Sequence, residues 1–272
     1  MSTPRTYQPR TRTYGLDIDT MRYAQRVKSG SGITILPEPL KQINKFVIGV
    51  KKLRLWNSMV CWPMRGIHNA GTGSTVYSLG GLGTFNGTMV NSPTWNFNGV
   101  NYDGVNDGIT TTFTLGATQV FCGVVGDMDA SGTWPASRGN FLVGVNSASP
   151  THYIYWLNPR SGFGGEYRYG APSTSYLAVA DNTTTGVHMW SVIGGVGINT
   201  RGFRSLTSLG TTAGVGVVPS PNILSSGLIL GRQLGSYRGT AAFSFIVHTA
   251  PSSPELFYTL YKRTLGIGLN LP

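Results

Sequence analysis

Short apolar runs separated by turn-forming residues fill most of the 272-residue chain, and they constrain its fold more than any other feature. The connections carry Asn98-Gly99, Asp107-Gly108 and Ser161-Gly162, which favour tight turns between antiparallel strands. Short antiparallel strands hide their apolar faces only by closing into a barrel or pairing into a sandwich. The pattern therefore predicts an all-β domain. The predicted strands cover residues 94–97, 108–115, 119–125, 141–145, 152–157, 187–193, 227–230 and 242–248.

Helical patterns lie only near the two ends of the chain. A short helix is predicted from Asp17, and a second one begins at Pro37 and Glu38, residue types that suit a first helical turn. A helical stripe appears again only in the last twenty residues. The chain is thus predicted to have three parts: an extended basic arm over residues 1–16, a two-helix docking segment over 17–65, and a β-sandwich over 66–272.

Positive charge is concentrated in the first two of these parts. Residues 1–65 have a net charge of +9, whereas residues 66–272 have a net charge of +2. A basic segment of this kind can bind either an acidic protein surface or nucleic acid. The first twelve residues contain only three arginines, few for an arm that packages a genome, which favours the protein surface. No apolar run is long enough to cross a membrane, so no membrane association is expected.

Partner-binding residues are predicted in the arm and on the second helix. Arg5, Arg10 and Arg12 of the arm would supply charge, and the apolar stripe of the helix would supply a contact that survives salt. The stripe residues are Ile43, Val47 and Val50.

The segment from Trp95 to Ile109, with its Asn98-Gly99 and Asp107-Gly108 turns, resembles the opening of laminin-G-like, concanavalin-type jelly rolls. Residues 228–232, 243–248 and 250–261 resemble the closing strands and last helix of the same family. In that pattern the helix begins near Pro254 and Glu255, with Ser252 or Ser253 as its cap. The resemblance covers residues 70–268 and implies a concanavalin-like β-sandwich, or jelly roll.

The helical segment followed by Leu55-Trp56 and the run from Cys61 to Pro63 resembles leaders that precede such domains in phage virion proteins. This resemblance implies a structural protein of a tailed-phage virion, either a capsid decoration or cement protein or a fibre-like protein. It implies assembly in the host cytoplasm, homo-oligomers, and other virion proteins, such as the major capsid or tail proteins, as partners. A genome-enclosing jelly-roll capsid protein is one alternative.

A carbohydrate-binding receptor-recognition module is the other alternative, with a host surface glycan as its ligand. Trp134, Trp156 and Tyr167 are the aromatic residues expected to stack on sugars, although the same pattern also suits a protein interface. Glycoside hydrolysis requires two carboxylates close together, and Glu166 has none nearby in the sequence. No enzymatic activity and no cofactor are therefore expected.

Metal ligands and a disulfide are also not expected. Asp103 and Asp107 could offer oxygen ligands to Ca²⁺, but both lie in turns where a short acceptor bonds to the local backbone. Cys61 and Cys122 have apolar sequence neighbours, which predicts two buried, reduced thiols.

Overall fold

Two antiparallel sheets form the body of the protein in the computed structural model, which confirms the predicted β-sandwich. The structure describes residues 15–103, 106–114, 119–128, 141–144, 156–161, 164–168, 176–179, 186–195, 198–212, 229–230 and 238–272. In the strands between residues 141 and 179 it describes the backbone.

The first sheet has the strand order β14-β13-β12-β7-β16-β5-β4, with β1 also paired to β16. Its strands are β1 (Met59–Pro63), β4 (Thr94–Trp95), β5 (Val100–Asp103), β7 (Gln119–Met128), β12 (Val187–Gly195), β13 (Ile198–Arg204), β14 (Thr207–Thr212) and β16 (Arg238–Val247). The second sheet has the order β11-β10-β9-β8-β15-β6-β3-β2. Its strands are β2 (Thr75–Val76), β3 (Gly87–Val90), β6 (Gly108–Thr111), β8 (Phe141–Gly144), β9 (Trp156–Ser161), β10 (Gly164–Arg168), β11 (Tyr176–Val179) and β15 (Ile229–Leu230).

Three α-helices accompany the sheets in the described part of the chain: α1 (Ile18–Ser31), α2 (Pro37–Lys52) and α3 (Pro254–Lys262). The side chain of Asp17 caps α1 by accepting the Asp19 N–H, and Gly32, with φ of 76°, ends it. Helix α2 begins with Pro37, whose missing N–H would have no helical partner at that position. Helices α1 and α2 were predicted from local signals, and α3 from the family resemblance. Ser253 does precede α3, but its side chain makes no cap hydrogen bond there. None of the helices in the described residues is long and apolar enough to span a membrane.

Strand β1 corrects the predicted boundary between the docking segment and the sandwich. It lies within residues 17–65, yet Met59 pairs with Val247 and Pro63 pairs with Phe243 of β16. Strand β5 pairs with the other half of the same edge of β16, from Arg238 to Ala241. The sandwich therefore begins before residue 66, because the first sheet needs β1 to complete the edge of β16.

Strands of the first sheet are apolar on both faces. In β7, Cys122 and Val124 point into the core between the two sheets, whereas Phe121 and Val125 join a second core on the opposite face. Strand β1 alternates in the same way, with Val60 in the first of these cores. The protein consequently has three layers, with the first sheet in the middle.

The helices form the third layer by covering the outer face of the first sheet. Phe46 of α2 makes edge-to-face contacts with Phe243 of β16 and Phe257 of α3, with ring centroids 5.6 and 6.1 Å apart. The stripe formed by Ile43, Val47 and Val50 belongs to this core, and each of its side chains is 0% exposed. The prediction that the stripe binds a partner is therefore wrong, because the chain's own sheet already covers it.

The two cysteines are both buried and free, as predicted. Cys61 faces the helices and Cys122 faces the second sheet. They lie on opposite sides of the first sheet, so their thiols cannot meet to form a disulfide.

Candidate functional site

The hairpin between β4 and β5 presents an aromatic side chain to solvent. Asn96 begins its turn by accepting the N–H groups of Asn98 and Gly99 on its side-chain oxygen, each at 2.8 Å. A β-carbon on Gly99 would lie 2.1 Å from the carbonyl oxygen of Ala241, so only glycine fits where the hairpin crosses β16. This geometry places Phe97 at the tip of the turn, where it is 67% exposed.

Arg65 lies beneath the Phe97 ring, with its guanidinium carbon 5.5 Å from the ring centroid. The guanidinium is held in place because Nη1 donates to the carbonyl oxygens of Leu265 and Ile267, at 2.9 and 2.7 Å. Arg65 itself is only 2% exposed, and burial lowers its pKa. The ring therefore rests on a fixed cation by one face, and its remaining surface is open to solvent.

A cavity of about 250 Å³ opens beside the ring. Its other walls come from the ends of three paired strands, because Asp127 of β7 lies opposite both Val187 of β12 and Thr240 of β16. The lining residues are Asn96, Phe97, Asn98, Asp127, Val187, Thr240, Ala242 and Leu269. The volume is below the roughly 300–1,000 Å³ of pockets that enclose a drug-sized ligand, so it fits a single ring-sized group.

The polar groups of this cavity suit hydroxyl-bearing ligands. Asn96 Nδ2 donates to Thr240 Oγ1 at 3.3 Å, which ties the hairpin to β16. Asn98 and Asp127 are exposed at the rim. Together an amide, a hydroxyl and a carboxylate can both donate hydrogen bonds to a ligand and accept them from it. We refer to this cavity and the Phe97 ring as the hairpin site.

Asp103 and Asp107, the residues considered for Ca²⁺, lie close together at the far end of β5. Asp107 accepts the backbone N–H of Asp103 on Oδ2 at 2.9 Å, as expected for a turn aspartate. Its Oδ1 is buried without a hydrogen-bond partner, and burial raises the pKa of Asp107 with a further contribution from the Asp103 charge. No group of three or more His, Cys, Asp or Glu that could hold a metal ion occurs among the described residues.

The other predicted site residues are not part of the hairpin site as described. Arg5, Arg10, Arg12 and Trp134 lie outside the described residues. Trp156 and Tyr167, for which the backbone is described, lie on the neighbouring strands β9 and β10 of the second sheet, where Tyr167 pairs with Leu157. The glycan-binding role of these aromatic residues stays a prediction.

The sequence pattern predicts a strand over residues 94–97, so Phe97 is not among the predicted site residues. The signal was present: an aromatic residue between Asn96 and Asn98, directly before Gly99, marks the tip of a turn rather than a strand interior. An aromatic side chain at such a tip has no sheet face to pack on, so it is a candidate for binding.

No protein-family model and no curated protein sequence matches the chain. Among solved structures it is similar to a mutant sialidase of Trypanosoma rangeli with trans-sialidase activity, with a TM-score of 0.55 and 13% identity over 82% of this chain and 39% of that one. It is also similar to the binding domain of botulinum neurotoxin serotype D, with a TM-score of 0.50 and 8% identity over 76% of this chain and 52% of that one.

These similarities establish the fold and nothing finer. The chain spans about two fifths of the sialidase and about half of the toxin domain, and the identities are too low to carry residue roles across. The neighbours are consistent with a jelly-roll sandwich, and they include the Trypanosoma rangeli sialidase in complex with difluorosialic acid. They give no support to the phage resemblance.

Proposed function

We propose that the protein is a carbohydrate-binding module that holds a neutral sugar ring in the hairpin site. The observation that carries the proposal is Phe97, a large apolar ring that is 67% exposed and fixed on one face by Arg65. Pyranose rings have apolar C–H faces edged by hydroxyl groups, so they match an aromatic surface bordered by hydrogen-bonding side chains. The resemblance to a sialidase solved with difluorosialic acid adds support at the level of the fold.

The charge of the site favours a neutral sugar over an acidic one. Asp127 is exposed at the cavity rim, and its carboxylate would repel the carboxylate of a sialic or uronic acid. The positive charge of Arg65 lies behind the Phe97 ring, where it is 2% exposed. A neutral sugar would instead donate its hydroxyl hydrogens to Asp127.

The proposed role is binding without turnover. Glycosidases require two carboxyl groups, about 5–5.5 Å apart for retention of configuration. Among the described residues that line the hairpin site, Asp127 is the one carboxylate. The site therefore contains a hydrogen-bond acceptor for a sugar hydroxyl rather than an acid and nucleophile pair.

The experiment is a glycan panel of neutral and sialylated oligosaccharides probed with the full chain and with Phe97→Ala. Covering a phenylalanine side chain contributes about 1.5–3 kcal/mol, so Phe97→Ala is expected to weaken binding by about tenfold or more. Leu206→Ala is the matched control, because Leu206 is also exposed, at 55%, but lies in the turn between β13 and β14. Asp127→Asn should shift the preference toward acidic sugars.

Two results would overturn the proposal. The first is an absence of binding to every neutral glycan of the panel at millimolar concentration. The second is binding that Phe97→Ala and Leu206→Ala leave equally strong, which would place the glycan elsewhere, with Trp156 and Tyr167 as the next residues to substitute.

A further inference from the structure

Helices α2 and α3 cross at a very close contact, and this contact organises the outer surface of the helical layer. A β-carbon on Gly49 of α2 would lie 2.3 Å from Leu260 Cδ1 of α3. Side chains three and four residues apart share a helix face, so Lys45 and Lys52 lie on the same face of α2 as Gly49. For the same reason, Leu256 and Arg263 lie on the same side of α3 and its end as Leu260.

These residues form a surface that we call the crossing patch: Lys45, Lys52, Leu256, Leu260 and Arg263. Both lysines and Arg263 are exposed, and Leu256 is 54% exposed. Leu260 is half-buried between the two helices. The patch therefore combines cations on both helices with an apolar centre.

The cations of the crossing patch have no ion-pair partner among the described residues. The acidic side chains of the helical layer have other partners, and Glu255 of α3 accepts the Ser253 hydroxyl at 2.7 Å. Asp17 and Asp19 both pair with Lys51, at 2.6 and 2.7 Å, and Glu38 pairs with Lys41 at 3.2 Å. The patch thus keeps an uncompensated positive charge in a protein whose net charge is already +11.

We propose that the crossing patch binds an acidic protein segment that carries an apolar side chain. Carboxylates of the partner would pair with Lys45, Lys52 and Arg263, and its apolar side chain would cover Leu256 and Leu260. Complementary charge accelerates and orients association, and the apolar contact retains the complex. This interaction is separate from the hairpin site and does not depend on glycan binding.

The apolar centre favours an acidic protein over the other polyanions that a basic surface attracts. A nucleic acid backbone would satisfy the cations but would leave Leu256 uncovered. An anionic membrane would require several large apolar side chains to insert, and Leu256 is the single large apolar residue of the patch that is more than half exposed. The interaction uses the face of α2 opposite to Ile43, Val47 and Val50, which are buried in the core.

The test measures fluorescence anisotropy of labelled probes with the full chain. One probe is a glutamate-rich peptide with leucine at every fourth position, and the second replaces those leucines with serine. A single-stranded RNA of equal charge is the third, and phosphatidylserine vesicles are tested by co-sedimentation. The leucine peptide is expected to bind best, with an affinity that falls as salt rises.

A triple charge reversal, Lys45→Glu with Lys52→Glu and Arg263→Glu, is expected to weaken binding of the leucine peptide by about tenfold or more. Its matched control is Arg5→Glu with Arg10→Glu and Arg12→Glu, which changes the net charge equally but leaves the patch intact. Leu256→Ser should remove the preference for the leucine peptide over the serine peptide. Circular dichroism checks that each variant is folded.

Any of three outcomes overturns the proposal. The first is that the leucine peptide fails to bind at low salt. The second is that RNA or the vesicles bind more tightly than the leucine peptide. The third is that the triple charge reversal in the arm weakens peptide binding as much as the triple charge reversal in the crossing patch, which would assign the interaction to the arm.

Discussion

Phe46 of α2 meets Phe243 of β16 edge to face, with ring centroids 5.6 Å apart and planes inclined at 83°. The contact joins an N-terminal helix to a strand near the other end of the chain, and Phe257 and Tyr261 of α3 complete it at 6.1 and 6.5 Å. The helical layer is thus held to the first sheet by a cluster of aromatic rings. Such pairs add about 0.5–1.5 kcal/mol each to the stabilisation from buried area.

Phe46→Ala is therefore expected to lower the free energy of unfolding by about 3–5 kcal/mol, as for other large core truncations. Chemical denaturation of the full chain measures it. Lys45→Ala is the control, because Lys45 is the preceding residue but is exposed, and its loss should change stability by less than about 0.5 kcal/mol. A similar small effect for Phe46→Ala would mean that α2 is not packed on the sheet.

Removing residues 1–65 is expected to prevent folding, although the sequence alone places the whole β-sandwich in residues 66–272. The truncation removes β1 from the edge of β16 and uncovers an apolar sheet face that includes Phe121, Phe243 and Phe245. Exposed apolar faces and open strand edges lead to aggregation. A chain starting at residue 16 should remain monodisperse in size-exclusion chromatography, and soluble, cooperatively unfolding protein from the shorter chain would contradict this.

The sequence predicted the sandwich because alternation and turn chemistry are local signals. It predicted α1 and α2 for the same reason, since Asp17, Gly32 and Pro37 act within a few residues of themselves. What local signals did not reveal is what each apolar face packs against. Ile43, Val47 and Val50 form an apolar stripe whether another protein or the chain's own sheet covers it.

One signal for the third layer was available in the strands themselves. The run from Val120 to Val125 is apolar without alternation, which is typical of strands buried on both faces. A two-layer sandwich would need polar residues on the outer face of β7. If β7 is buried on both faces, another layer must pack on the outer face of the first sheet. The amphipathic helices are the elements of the chain that can form this layer.

The hairpin site could be predicted only in part. The Asn98-Gly99 turn was recognised, but the approach of Thr240, Asp127 and Arg65 to that turn depends on pairing between distant parts of the chain. Long-range register of this kind is not encoded in any short segment. Trp134, Trp156 and Tyr167 were chosen on residue type alone, whereas Phe97 is distinguished by its exposure.

Cys61 and Cys122 are expected to resist alkylation in the native protein. Burial raises the pKa of both thiols well above the ordinary value, and the thiolate is the reactive form. Mass spectrometry after iodoacetamide treatment should show no modification in buffer and two modified cysteines in denaturant. Rapid labelling of either cysteine in buffer, without loss of cooperative unfolding, would contradict its burial.

Asp107→Asn is expected to stabilise the protein at neutral pH. The pKa of Asp107 is raised above its ordinary value of 3.8, chiefly by burial, so its contribution to stability is complete below that pH and is lost as the pH rises through the folded-state pKa. An asparagine keeps the acceptor for the Asp103 N–H and removes the carboxylate charge, so the variant should have a higher free energy of unfolding than the wild-type protein at neutral pH. The gain should disappear at pH 3, below the ordinary pKa of an aspartate, and a gain that persists there would contradict this account.

His68 should have the opposite effect to Asp107, because it lowers the free energy of unfolding as the pH falls. It is buried between α2 and the Arg65 region, where Nε2 lies 2.7 Å from Gln42 Oε1. Burial, together with the positive charge of Arg65, lowers the pKa of His68 from 6.5 to about 3. Below pH 6.5 the unfolded chain binds a proton that the folded chain does not, so unfolding becomes easier as the pH falls from 6.5 toward 3.

His68→Gln, whose amide can still donate to Gln42, removes this proton uptake. Between pH 7 and pH 4 the wild-type protein should therefore lose about 2–3 kcal/mol more stability than the variant. Parallel pH profiles for the two proteins would show that His68 is protonated while folded, and that the helical layer admits water at this point.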